Sequence, residues 1–290
     1  LDHLLFTGAT SVARHIMAAA ARNLVPVTLE LGGKSPVIVS RTADLEKSLS
    51  RIMMGKTMNA GQICLAPDYL LVPEEKLHDV IATAQKVVAQ MYPRLLDNNQ
   101  YTSVVNQRHY QRLTGYLAEA EERGVKPIAI NPAGEDFSQQ QGTYKIPPTL
   151  LPEPPEDLKV LQEEIFGPLL PIRTYREFSE CIDYINSKPR ALAVYYFGAD
   201  DAEQKMAETH TISGGMCIND VVMHVAQEDL PFGGVGPSGM GSYHGIEGFR
   251  TFSHAKSIYR QTRVDFGKLS GLLPPYGKAT ESSIRMQVKK

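Results

Sequence analysis

Short apolar runs of strand type alternate with segments of helical period along most of this chain, and that alternation limits the fold more than any other feature. Strands are expected at residues 36–39, 69–72, 127–130, Leu169–Tyr175, residues 191–197 and Gly215–Ile218. Helices are expected between them, at residues 44–59 with Asp44 as the cap, then at 73–91, 107–123, 176–187 and 201–209. Such alternation builds an α/β fold with a mostly parallel sheet. The first residues carry one more unit of the same kind. Residues 4–6 read as a strand, Thr7-Gly8-Ala9-Thr10 as a turn, and Ser11 as a helix N-cap. Val12, Ile16, Ala19, Ala20 and Leu24 then fall at helical spacing, and residues 25–29 read as a second strand. This strand–helix–strand unit is the end of a Rossmann-type array. Gly32-Gly33 marks a boundary, residues 131–142 a surface loop, and the five prolines of residues 147–155 exclude a helix.

Composition narrows the function classes. The 290 residues are 42% hydrophobic and 21% charged, and the net charge is -2. That balance gives no electrostatic case for binding nucleic acid or an anionic membrane. No apolar run approaches the length of about 18 residues that a membrane span needs, and the first residues do not form a secretory signal. Three cysteines, Cys64, Cys181 and Cys217, are an odd and sparse set. They argue against a disulfide framework and for a reducing compartment, the cytoplasm. The eight histidines show no metal-ligand spacing, so no metal is expected.

Two local contexts carry chemistry. A free cysteine is ordinarily a small buried residue, and Cys181 and Cys217 read that way. Cys64 follows Asn59-Ala60-Gly61-Gln62-Ile63, small and polar residues suited to a loop whose N–H groups face a ligand. A helix starting just past it would favour a thiolate. A glutamate at a strand end is ordinarily solvated. Glu30, however, precedes Gly32-Gly33 at the C-terminal edge of a parallel pair, where partial burial would raise its pKa toward that of a base. Glu164 lies before the rigid Ile165-Phe166-Gly167-Pro168 turn and could accept hydrogen bonds from ribose hydroxyls. Thr7 and Gly8 lead into a helix, a natural pyrophosphate site. There, Ala13 carries a methyl group that could push the helix off the sheet. Gly234-Val235-Gly236-Pro237-Ser238-Gly239 fits a dinucleotide pattern but has no strand before it and a proline inside it. Asn219, Asp220 and His244 are secondary candidates for touching a substrate.

In order, the segments Phe6-Thr7-Gly8, residues 30–34, Gly61-Gln62-Ile63-Cys64, Glu163-Glu164-Ile165-Phe166-Gly167-Pro168 and Pro231-Phe232-Gly233-Gly234 resemble the aldehyde dehydrogenase superfamily. Residues 231–253 are similar to its class 3 branch, and residues 273–278 to coniferyl-aldehyde-type members of that branch. The resemblance implies an enzyme that oxidises an aldehyde, aromatic or medium-chain, to the acid through a Cys64 thioester. Glu30 is then the water-activating base, which disfavours acyl transfer to coenzyme A or phosphate. Thr7, Gly8, Leu31, Gly32, Glu164 and Phe166 would contact NAD or NADP, and an asparagine upstream of Leu1 would share the oxyanion with the Cys64 N–H. It further implies that the chain is the C-terminal part of a longer protein and a homodimer or higher homo-oligomer. Residues 1–31 would end the cofactor domain, 32–222 form the catalytic domain, 223–258 a bridging region and 259–290 a tail. Strand 4–6 or 25–29 would then lie at an open edge. An esterase using the same cysteine without cofactor, and a fragment without catalysis, are the alternative readings.

Overall fold

A computed structural model describes residues 1–140 and 142–288 of the chain, which divides into two compact units, Leu1–Phe252 and Ser253–Lys290. The first unit opens with β1 (Leu4–Thr7), α1 (Thr10–Ala21) and β2 (Val27–Glu30). There follow β3 (Pro36–Val39), α2 (Leu45–Thr57), β4 (Tyr69–Pro73), α3 (Leu77–Met91), α4 (Gln107–Glu122), β5 (Ile128–Ala129) and β6 (Thr149–Pro152). The remaining elements are α5 (Lys159–Gln162), β7 (Leu169–Tyr175), α6 (Phe178–Ser187), β8 (Ala193–Phe197), α7 (Asp201–His210), β9 (Gly215–Ile218), β10 (Gly239–Met240) and α8 (Gly245–Thr251). The second unit holds α9 (Phe266–Leu269) and α10 (Lys278–Val288).

The strands form a seven-stranded sheet in the order β5-β6-β7-β4-β3-β8-β9 and a three-stranded sheet in the order β1-β2-β10. Every pair in the large sheet is parallel except β5 with β6. A parallel sheet needs both faces covered, and strand alternation supplies both. Val37, Val39, Leu70, Val72 and Tyr195 pack with Leu49, Ile52 and Met53 of α2 and Val80, Ala84 and Val88 of α3. Ile38, Tyr69, Leu71 and Tyr196 pack on the other face with Cys181, Ile182 and Ile185 of α6 and Ala207 of α7. Asp44 caps α2 by accepting from the Lys47 N–H at 3.2 Å, as its position before the apolar stripe implies.

Several local expectations are corrected. α1 is capped at Ala9 with no side-chain bond, not at Ser11. Leu24 lies beyond the helix, exposed and at φ 55°, and Val12 is also exposed. Ala13 and Ala20 are the buried residues of α1. Ala13 packs with Leu29 and Leu31, so its methyl fills the helix–sheet contact instead of prising it open. Residues 147–155 are not a helix, but they contain β6, parallel to β7. Of the two strands expected at an edge, β1 is the one that lies there among the described residues; β2 has β1 on one side and β10, from more than two hundred residues onward, antiparallel on the other. The Gly234–Gly239 segment leads into β10. Gly239 lies so close to β2 that a Cβ there would overlap the Leu29 carbonyl.

Candidate active site

The large sheet presents the N-terminal ends of its central strands at one place. Gly32 and Gly33 precede β3, Cys64 precedes β4, Glu164 precedes β7, and Ala191 lies before β8. Glu30 comes to the same place from the C-terminal end of β2.

Cys64 lies in the turn that begins at Ile63, closed by the Ala66 N–H donating to the Ile63 carbonyl at 3.0 Å. No helix follows it; Pro67 and then β4 do. The loop before it is sharply turned, with Asn59 at φ 50°, Ala60 at 53° and Gly61 at 72°. Gln62 holds this loop together and is buried, contrary to the expectation that a polar residue here would sit badly in a core. Its Nε2 donates to the Asn59 and Ser103 carbonyls, both at 2.9 Å, and its Oε1 accepts from the Val105 N–H at 2.8 Å. Burial, and then the Glu164 carboxyl, push the Cys64 thiol up; the Cys64 and Leu65 N–H groups pull it back, and Glu30 raises it further. The thiol is therefore protonated at rest. Gly61 is required twice over: its φ is left-handed, and a Cβ would overlap the Gly167 carbonyl. Gly61→Ala is expected to cost about 3 kcal/mol in urea unfolding. A loss below about 1 kcal/mol would show that the loop relaxes freely.

Glu30 is 3% exposed, and neither carboxyl oxygen has a hydrogen-bond partner. Burial alone lifts its pKa from 4.5 to about 8. Glu164 is lifted to about 7, mainly by burial and opposed first by the Gly33 N–H. Its carboxyl lies directly over Gly32, where a Cβ would overlap it. The loop that carries it is clamped from behind. Lys34 pairs with Asp68 and donates to the Val160 and Glu163 carbonyls at 2.8 and 2.9 Å, while Asp68 accepts from the Ile165 N–H at 2.9 Å. Phe166, at φ 45°, is 38% exposed beside it.

Thr7 and Gly8 are exposed at the start of α1. The Gly8 N–H is not free for a phosphate; it donates to the Glu30 carbonyl at 3.0 Å. The open donors are those of the following first helical turn, which contains no acidic residue. Leu31 is buried against Ala13 and Leu29. Asn219 is not available to a substrate, because its amide accepts from the Gly198 N–H and donates to the Gly198 carbonyl, both at 2.9 Å. His244 stacks on Phe232 at 5.2 Å and meets Tyr243 edge-on at 4.7 Å, and its buried Nδ1 is unpartnered. Burial, and then Glu30 and Cys64, raise the Tyr243 hydroxyl.

Sequence reasoning passed over Lys56. It is almost wholly buried, and burial lowers its pKa to about 7, against the pull of Asp68 and Glu164. The signal was present, since Lys56 continues the buried stripe Leu49, Ile52, Met53 at helical spacing.

A protonated thiol flanked by two carboxyls that titrate near 7 and 8 can attack an electrophilic carbon and pass its proton on, and the buried carboxyl can then take a proton from water. Known proteins share the sequence and the fold of this chain. The family model described as "Aldehyde dehydrogenase family" matches residues 1–258. A coniferyl aldehyde dehydrogenase of a Pseudomonas species is 57% identical over 278 residues, covering 96% of this chain and 57% of that protein. The substrate-bound AldH of Staphylococcus aureus is similar at a TM-score of 0.86 and 41% identity, covering 100% of this chain and 61% of that one. An aldehyde dehydrogenase of Mycobacterium tuberculosis complexed with NAD+ is similar at a TM-score of 0.81 and 27% identity, covering 91% and 54%. The chain thus spans less than two thirds of the length of these relatives. With a family model matched over residues 1–258 and relatives this similar in sequence and fold, the chain belongs to the aldehyde dehydrogenase family.

Proposed function

We propose that this chain carries the catalytic centre of an enzyme that oxidises an aldehyde to its carboxylic acid through a thioester on Cys64. The observation that carries the reading is the pairing of a turn-borne thiol with a buried carboxyl, Glu30, that has no partner to occupy it. Cys64 adds to the carbonyl carbon and gives up its proton to a neighbouring carboxyl. The Cys64 N–H would help hold the developing oxyanion. Glu30, once ionised, takes a proton from water, and the hydroxide attacks the thioester and releases the acid.

The residues fit NAD or NADP. The open first turn of α1 suits a pyrophosphate, with Thr7 and Gly8 leading into it. Leu31, whose side chain is buried, and Gly32 would hold the dinucleotide through their backbone, and Phe166 would offer an exposed face. Glu164 would have to turn outward from Gly32 to reach a ribose. Such a dinucleotide supplies a hydride acceptor, which turns the Cys64 adduct into the thioester. An aromatic substrate such as coniferyl aldehyde is supported by the named relative and by the Phe232, Tyr243 and His244 group; a medium-chain aldehyde is the alternative. We take the working form to be a homodimer or higher homo-oligomer in the cytoplasm.

The test uses the full-length protein with coniferyl aldehyde and with hexanal, in the presence of NAD or NADP. Reduced cofactor should form, and quenched samples should show an acyl adduct on the peptide containing Cys64. If neither reduced cofactor nor an adduct forms with either aldehyde, the reading is wrong.

A further inference from the structure

Tyr195, in the middle of β8, is fully buried, and its hydroxyl serves two loops at once. It donates to the Leu65 carbonyl at 2.7 Å and accepts from the Val222 N–H at 3.3 Å. Leu65 is the residue after the nucleophile. Val222 belongs to the loop that leaves β9, and that loop is strained: Asn219 has φ 56° and Val222 φ 66°. Left-handed backbone at a β-branched residue is an outlier that costs about 1–3 kcal/mol and persists only where the surroundings enforce it. The enforcing contacts are visible. Asn219 is bonded on both sides to Gly198. Val221 is fully buried against α2, where a Cβ on Gly55 would overlap it. His224, just beyond, lies with its Nδ1 3.0 Å from the Cys217 sulfur and its ring 6.2 Å from Tyr195 and 5.9 Å from Phe232. Burial keeps the Tyr195 hydroxyl protonated, so it remains a donor to Leu65.

Resting on the reading of Cys64 as the nucleophile, we propose that Tyr195 is a positioning residue: its hydroxyl ties the Leu65 carbonyl to the strained Val222 loop and so holds the turn that carries Cys64. Without that bond the turn keeps the Ala66-to-Ile63 hydrogen bond but loses its tie to the Val222 loop. Burial raises the Cys64 thiol and N–H groups of this same turn lower it, so a loosened turn raises the thiol and slows its attack, and substrate binding is left alone. The effect should therefore fall on the chemical step.

Tyr195→Phe removes one oxygen and keeps the ring. Tyr196→Phe is the matched control, because the Tyr196 hydroxyl lies on the opposite face of the same strand, bonded to the Asp200 carbonyl at 3.1 Å and to Glu203 at 3.3 Å. In the full-length enzyme, Tyr195→Phe is expected to lower kcat about tenfold with KM within about twofold. The midpoint of Cys64 alkylation by iodoacetamide, followed by peptide mass against pH, should rise by about half a unit. Tyr196→Phe should change neither, whatever it does to the melting temperature. An unchanged alkylation profile in Tyr195→Phe, or equal shifts in both variants, overturns the proposal. If wild type itself shows no alkylation at Cys64 and no turnover, it is the reading of the nucleophile that fails.

Discussion

Cys64→Ala in the full-length enzyme is expected to lower aldehyde oxidation by at least about a thousandfold and to remove ester hydrolysis with it. One sulfur serves both reactions, and the other cysteines cannot replace it. Cys181 is fully buried in α6, and burial raises its thiol far more than a nucleophile tolerates. Cys217 is buried in β9 with its sulfur against His224. Cys64 alone of the three is partly open. The variant should still fold, because the loop is held by Gln62 and not by the thiol. Rates measured with a chromogenic ester and with an aldehyde decide the matter; oxidation retained above about 5% of wild type would remove Cys64 from the mechanism.

Glu30→Gln should separate activity from stability, with opposite signs. An amide cannot take a proton from water, so steady turnover falls at least about a hundredfold while the first burst of reduced cofactor survives and the acyl adduct accumulates. In the wild type, the deacylation rate should climb with pH until Glu30 is ionised, near pH 8, and level off above it; the variant should lose that climb. The linkage follows from the same shift. The folded pKa of about 8 exceeds the unfolded 4.5, so the folded protein keeps a proton that the unfolded chain releases between those values. Stability from this group is therefore complete below about pH 4.5 and is lost as the pH rises through 8. Glu30→Gln does not titrate, and at pH 9 it should be more stable than wild type by about 2 kcal/mol in urea unfolding. Equal slowing of burst and steady phases would instead give Glu30 a part in activating the thiol.

Much of the fold was legible because local chemistry and tertiary demand agreed. β7 and β9 run over the residues their apolar pattern indicates, and Asp44 caps α2 where a cap was expected. Agreement failed where a distant segment made the decision. β6 is hidden among prolines, yet Pro147 and Pro148 precede it and Pro152 ends it, positions where a missing N–H costs little. β10 is two residues long and exists because β2 offers it an edge. The stripe expected on α1 ran into Leu24, which the chain instead spends on a left-handed turn.

The identities at the site were also readable. Glu30 before a Gly-Gly pair and Cys64 after Gly61-Gln62-Ile63 stand out from the one-dimensional record, because special backbone geometry needs glycine and a nucleophile needs a loop. Their protonation was not readable to the same degree. Glu30 titrates near 8 because strands and loops from both ends of the chain bury it without offering a donor, including Gly239 directly opposite it across the sheet. Glu164 lies over Gly32 on a loop that Lys34 and Asp68 clamp, and Tyr195 reaches Leu65 across 130 residues. Residue type and backbone turn are local properties, so the sequence alone determined which groups could react. Burial and hydrogen-bond partners are properties of space, supplied by residues far apart in the chain, so only the tertiary structure decided in what state those groups wait.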